Sequence, residues 1–97
     1  MKNDIMQTSN THGSYKELLF DKRWLEKRAG ILKRDNFRCV MCCSDKHLIV
    51  HHKQYHVNKR TGEKLVPWDY HDKYLVTLCE KCHNKGHQLY EIPTFEI

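Results

Sequence analysis

The sequence predicts a small, stapled α+β domain, and three observations lead to that class. Two Cys-x2-Cys pairs, Cys39/Cys42 and Cys79/Cys82, stand at the spacing with which knuckles present thiolates to a structural zinc. The chain has 97 residues, 39% of them apolar and 30% charged, so its core must be thin. At that size a core alone gives little stability, and small proteins commonly add a metal or disulfides. The third observation is the order of periodicities, in which helical spacing gives way to two β-branched runs and then to helical spacing again.

Residues 1–13 are polar and aperiodic and predict a disordered arm. The domain is expected over 14–92, with its principal motifs at 38–87, and 93–97 as a short C-terminal tail. Ser14-x-x-Glu17 is a capping-box pattern that starts a short helix through Tyr15, Leu18, Leu19 and Phe20. Asp21 can cap a second helix, in which Trp24, Leu25, Arg28, Ala29 and Leu32 form an apolar stripe beside a basic face. Gly30 costs that helix about 1 kcal/mol relative to Ala, and Asp35-Asn36 is expected to stop it. Cys39-Val40-Met41-Cys42 then reads as a tight turn, and Leu48 to His52 as a short strand. From Lys53 to Asp72 the chain is polar, punctuated by Gly62 and Pro67, and predicts mainly loop with a turn near Trp68-Asp69-Tyr70. Tyr74 to Leu78 returns as a second strand, Cys79 to Cys82 leads into a helix carrying His83 and His87, and Pro93 lies beyond its end.

The cysteines and histidines suggest two ligand sets. Four thiolates at this spacing suit a closed, tetrahedral structural zinc. Cys43 is left over; a Cys-x3-Cys spacing would let it replace Cys42, but a knuckle turn usually ends at its second ligand, which favours Cys42. His83 and His87, at i and i+4, share one helix face and can reach one ion, although pairs at this spacing also occur as plain surface residues. The doublet His51-His52 adds a third ligand, because consecutive strand residues point to opposite sides. One imidazole can join the helical pair while its neighbour aims at a water.

Charge and hydropathy narrow the partners. Net charge is +5, which favours a polyanion, and the excess gathers in the segment from Lys16 to Arg38. No apolar run has signal-peptide or membrane-spanning length, so a soluble, cytoplasmic protein of a bacterial or phage-infected cell is the expectation. In such a reducing compartment, paired Cys-x2-Cys motifs read as metal ligands rather than disulfides.

Together the strings Cys39-x2-Cys42, Leu48-Ile49-Val50-His51-His52 and Leu75-Val76-Thr77-Leu78-Cys79-x2-Cys82-His83-x3-His87 resemble the HNH endonucleases, whose site is a ββα-metal unit. The run Arg34-Asp35-Asn36-Phe37-Arg38-Cys39 is similar to the basic lead-in of their zinc-bearing phage and bacterial members. The resemblance implies His52 as general base, His51, His83 and His87 as ligands of a catalytic cation, and the four cysteines as a structural zinc site. The Asn of the family name, which orients the loop carrying the base, falls here at Tyr74.

The implied activity is metal-dependent hydrolysis of DNA phosphodiester bonds, with RNA left open as substrate. Three neutral imidazoles suit Zn2+, Ni2+, Co2+ or Mn2+ better than Mg2+, which prefers oxygen ligands. Arg34, Arg38, Lys53 and Lys59 flank the site and are the expected nucleic-acid contacts, holding phosphates with little sequence specificity. Cleaving both strands would call for a homodimer or a partner protein. A second reading, a non-catalytic zinc-ribbon module for nucleic acid or a partner protein, needs the cysteines but not the four histidines together.

Overall fold

The computed structural model describes residues 15–97, so the expected arm and Ser14 of the capping box lie outside the described residues. The elements are α1 (Tyr15–Leu18), α2 (Lys22–Arg34), β1 (Leu48–His52), β2 (Tyr55–Val57), a 3-10 turn (Asp72–Tyr74), β3 (Leu75–Cys79), α3 (Glu80–Leu89) and β4 (Thr94–Glu96). The α+β class follows directly. Among the described residues no helix is long and apolar enough to cross a membrane.

Helix α2 forms where its caps allow it. The Asp21 carboxylate accepts the Arg23 N–H at 2.8 Å, satisfying one free amide of the first turn, and Asp35 closes the other end. The helix runs unbroken through Gly30, where an added Cβ would meet nothing. Its buried stripe is narrower than the expected one and shifted, since Ala29 is exposed and Ile31 is added. Trp24, Ile31 and Leu32 face inward, whereas Leu25 is half-exposed, because Ile31 continues the turn below Trp24 at i+7.

Strands β1 and β3 pair antiparallel, with Leu48 opposite Cys79 and His52 opposite Leu75. Alternation decides what each strand residue does. Val50 and His52 turn to the buried side, where Val50 and Leu75 join Trp24, Ile31 and Leu32 in the core, while His51 turns the other way. That core is small, as the composition requires, and Leu19, Leu48 and Trp68 pack around it. Pro67, Trp68 and Tyr70 therefore serve packing: Pro67 and Tyr70 are buried and Trp68 lies against the core.

Two expectations need correction. The polar 53–72 segment is not only loop, since it holds β2, and the tail at 93–97 is not free, since β4 pairs parallel with β2 through Tyr55 and Thr94. Each strand is three residues long, too short for an alternation pattern to show. Arg34 is held by the fold. Its guanidinium grips Asp35 bidentately at 2.8–2.9 Å and donates to the carbonyls of Asp72 at 2.8 Å and Leu75 at 2.7 Å. Asp35 in turn accepts the Thr77 N–H at 3.0 Å. The pair clamps the end of α2 to β3, so the Arg34 guanidinium already has acceptors within the fold.

Candidate functional site

The cysteine site is built from two turns. Cys39 and Cys42 lie on the turn before β1; Cys79 ends β3 and Cys82 opens α3. Main-chain amides point at the sulfurs, Met41 N–H at Cys39 and Cys82 N–H at Cys79, each 3.4 Å. Burial pushes the Cys39 thiol up, but amide donors from Cys79, Cys42 and Met41 more than offset it, and its pKa falls to about 6. Sulfur-to-sulfur hydrogen bonds push the Cys82 thiol up instead, and the Cys42 thiol is raised too, so the set sheds its remaining protons when a metal binds.

Spacing agrees with a zinc. Sulfurs at ~2.3 Å from a tetrahedral zinc lie about 3.8 Å apart; Cys42 and Cys79 are 3.6 Å apart, far beyond a disulfide bond. All four sulfurs gather within 4.8 Å of one another, with Cys39 and Cys79 buried. Cys43 is excluded from the group for a local reason. It adopts a left-handed conformation, φ 66°, and its N–H returns to the Cys39 carbonyl at 2.8 Å, closing the turn just after Cys42.

The histidine site shares α3. His51, on the outward side of β1, meets His83 and His87 one helical turn apart, and ligand nitrogens of the three lie within 4.8 Å of one another. The Nε2 atoms of His83 and His87 are 3.0 Å apart, close to the ~3.3 Å of two imidazoles on one tetrahedral ion with bonds of ~2.0 Å. Burial, then the neighbouring histidines, lowers the His51 pKa to about 4; the same causes lower that of His83. Both are neutral at pH 7 and can present lone pairs. The donor set fits a divalent transition metal with open positions, since His87 is exposed and the other two half-exposed.

His52 points away from this trio into an aromatic box. Its ring lies between Trp24 and Tyr55, with centroids at 5.1 and 5.4 Å, and Tyr70 meets it edge-on at 4.9 Å. Its Nε2 lies 2.9 Å from the Pro67 carbonyl, an acceptor only, so that nitrogen carries the proton and Nδ1 the lone pair. Burial lowers its pKa, the Lys64 charge adds to this, and the Pro67 bond opposes it. Though only 5% exposed, His52 lines a cleft of about 250 Å³ together with His51 and His83. Tyr15 lines it too, and its buried hydroxyl has no partner among the described residues.

Of the expected phosphate contacts, Lys53 alone lines a cleft with His51, His83 and His87. Arg38 donates to the Cys43 carbonyl at 3.2 Å and braces the knuckle, and Lys59 is exposed in the segment after β2. The basic face of α2 is largely paired, Arg23 with Asp21, Lys27 with Asp72 and Lys22 with Glu26. Tyr74 accepts the Lys53 N–H through its carbonyl at 2.7 Å and so ties down the chain just after His52. His56 and His71 are structural: His56 packs on Tyr70 and Tyr74, and His71 caps the 3-10 turn.

Sequence reasoning missed the box around His52 and the cation above it. Lys64 Nζ sits 3.6 Å from the Tyr55 ring centroid and 4.0 Å from that of Tyr15. The available signal was Tyr55, three residues beyond His52, which reads as an ordinary loop aromatic without the tertiary contacts. Compared with known proteins, the chain matches no family model, no curated protein and no solved structure.

Proposed function

We propose that this protein is a metal-dependent endonuclease of the HNH type, acting on DNA, with a ββα-metal site. The observation that carries the reading is the meeting of His51, His83 and His87 beside a cleft that His52 also lines, next to a separate four-cysteine cluster. A purely structural domain has no need of the second set.

Hydrolysis requires that water lose a proton as it attacks phosphorus and that the leaving 3′ oxygen gain charge as its bond to phosphorus breaks. His52 is the proton acceptor: its tautomer leaves Nδ1 free, and burial keeps it neutral. When held by the three imidazoles, a divalent cation supplies charge neutralisation at the phosphate and at the leaving oxygen. Lys53 adds a positive charge on the same side of the site. The unpartnered Tyr15 hydroxyl gives the His52 cleft a polar group able to hold a water. The four cysteines hold a structural zinc that fixes the start of α3, and so the aim of His83 and His87.

One observation favours the rival, non-catalytic zinc module: a 5% exposed His52 between two aromatic rings is also how a core histidine looks. Supercoiled plasmid with added Mn2+, Ni2+, Zn2+ or Mg2+ separates the two. Nicking that disappears in His52→Ala, with zinc content and circular dichroism unchanged, supports the endonuclease. Cleavage equal in wild type and His52→Ala removes the base assignment. A folded protein that binds one zinc, takes up no second cation and cleaves nothing supports the module.

A further inference from the structure

On the side of β1 away from His52, a second cleft of about 260 Å³ opens directly beside the three histidines. Lys53, Leu78, Gly86, Tyr90 and Pro93 line it with them. Of these, only Lys53 has a part in the proposed hydrolysis. Three features point to an occupant.

First, His83, Gly86 and His87 fall at i, i+3 and i+4 on one face of α3, and Tyr90, where the chain turns extended just after the helix, lines the same cleft. Tyr90 is 73% exposed, and among the described residues no hydrogen bond or ring contact holds its side chain. A large aromatic presented beside a ligand cluster is a stacking platform for a flat ring. Second, Gly86 sits inside α3, where glycine is about 1 kcal/mol worse than alanine. Its φ is not positive and an added Cβ would meet nothing, so neither backbone nor packing asks for glycine. The missing side chain leaves room in the cleft between the two metal-ligand candidates. Third, the Lys53 ammonium has no ion pair among the described residues, while Glu91 lies at the same cleft. Anionic groups are therefore drawn to the Lys53 side and repelled from the Glu91 side.

We propose that this cleft is a subsite for one unpaired nucleotide of a DNA strand, its base stacked on Tyr90 over the space left by Gly86 and its phosphate on Lys53. The volume is below the ~300–1,000 Å³ of clefts that enclose drug-sized ligands, so it suits one base rather than a longer segment. A base inside a duplex is already stacked on its neighbours and is not free to enter. The subsite therefore favours single-stranded or locally unpaired DNA. This inference rests on the nucleic-acid reading of the site and narrows its substrate class.

The test is fluorescence anisotropy of the full, zinc-loaded chain, without a second added metal, against a fluorescent oligothymidine and a hairpin duplex of equal charge. Tyr90→Ala should weaken oligothymidine binding by about 5- to 150-fold and leave the hairpin nearly unchanged, whereas Tyr90→Phe should retain wild-type binding. Gly86→Leu should raise the thermal midpoint while weakening oligothymidine binding, which separates loss of space from loss of fold. Equal effects of Tyr90→Ala on both DNAs, or none on either, overturn the subsite. The plasmid assay fails or succeeds independently. A chain that never cleaves but shows the Tyr90 effect retains the subsite as a binding groove. One that cleaves with His52 yet ignores Tyr90 keeps the endonuclease reading and loses the subsite.

Discussion

The cysteine and histidine clusters meet at adjacent residues of α3, Cys82 and His83, yet they are finished differently. The first has four sulfur donors, two of them buried, with main-chain amides directed at Cys39 and Cys79. The second has three nitrogen donors, none buried, and opens onto a cleft. A complete donor set surrounded by main chain holds an ion as part of the fold; an incomplete set facing solvent leaves a position for a substrate. The short helix serves both. Cys79 caps it through its sulfur, so whatever fixes the cysteines also sets the rotation of His83 and His87.

The largest expected effect breaks the first cluster. Cys79→Ala should leave the chain unfolded by circular dichroism, since a structural zinc contributes ~10–16 kcal/mol of folding free energy in small domains. His83→Ala should keep fold and zinc content, lose the second cation in a metal titration and, under the endonuclease proposal, lose metal-dependent nicking. If Cys79→Ala folds, or His83→Ala unfolds, the division between the clusters is wrong.

Arg34→Met sharpens the comparison from outside both sites. It should lower stability by ~2 kcal/mol in urea unfolding, the usual worth of charge-assisted hydrogen bonds lost, and leave DNA affinity unchanged. A large drop in affinity without loss of stability would restore Arg34 as a phosphate contact.

Acid should also discriminate. His51 has a pKa of about 4 in the fold against 6.5 as its ordinary value, so between those limits the unfolded chain binds the proton and the folded chain does not. Its contribution is intact above pH 6.5 and is lost as pH falls toward 4. In protein free of the second cation, unfolding free energy measured from pH 7 to 5 should therefore fall less steeply in His51→Gln than in wild type. Identical slopes would mean that His51 is not desolvated.

The smallest effect concerns the bystander. Cys43→Gly removes a side chain from a left-handed position that costs non-glycine residues ~1 kcal/mol, and should raise the thermal midpoint by a few degrees with zinc stoichiometry unchanged. Loss of zinc in that variant would return Cys43 to the ligand set.

The sequence by itself determined the parts set over a few residues. Cys39 and Cys42 span one turn, His83 and His87 one turn of helix, and Asp21 and Asp35 the ends of α2, because hydrogen bonds and side-chain direction act at that range. Strand alternation was legible too, in the opposite fates of His51 and His52. Tertiary structure alone decided how these parts are used. Arg34 reads as a surface cation until α2 packs on β3 and brings the Asp72 and Leu75 carbonyls to it. His52 reads as solvent-facing until Trp24, Tyr55 and Pro67, from three separate segments, close around it. Such contacts join residues that are distant in the chain, and their register is set by packing rather than by local spacing.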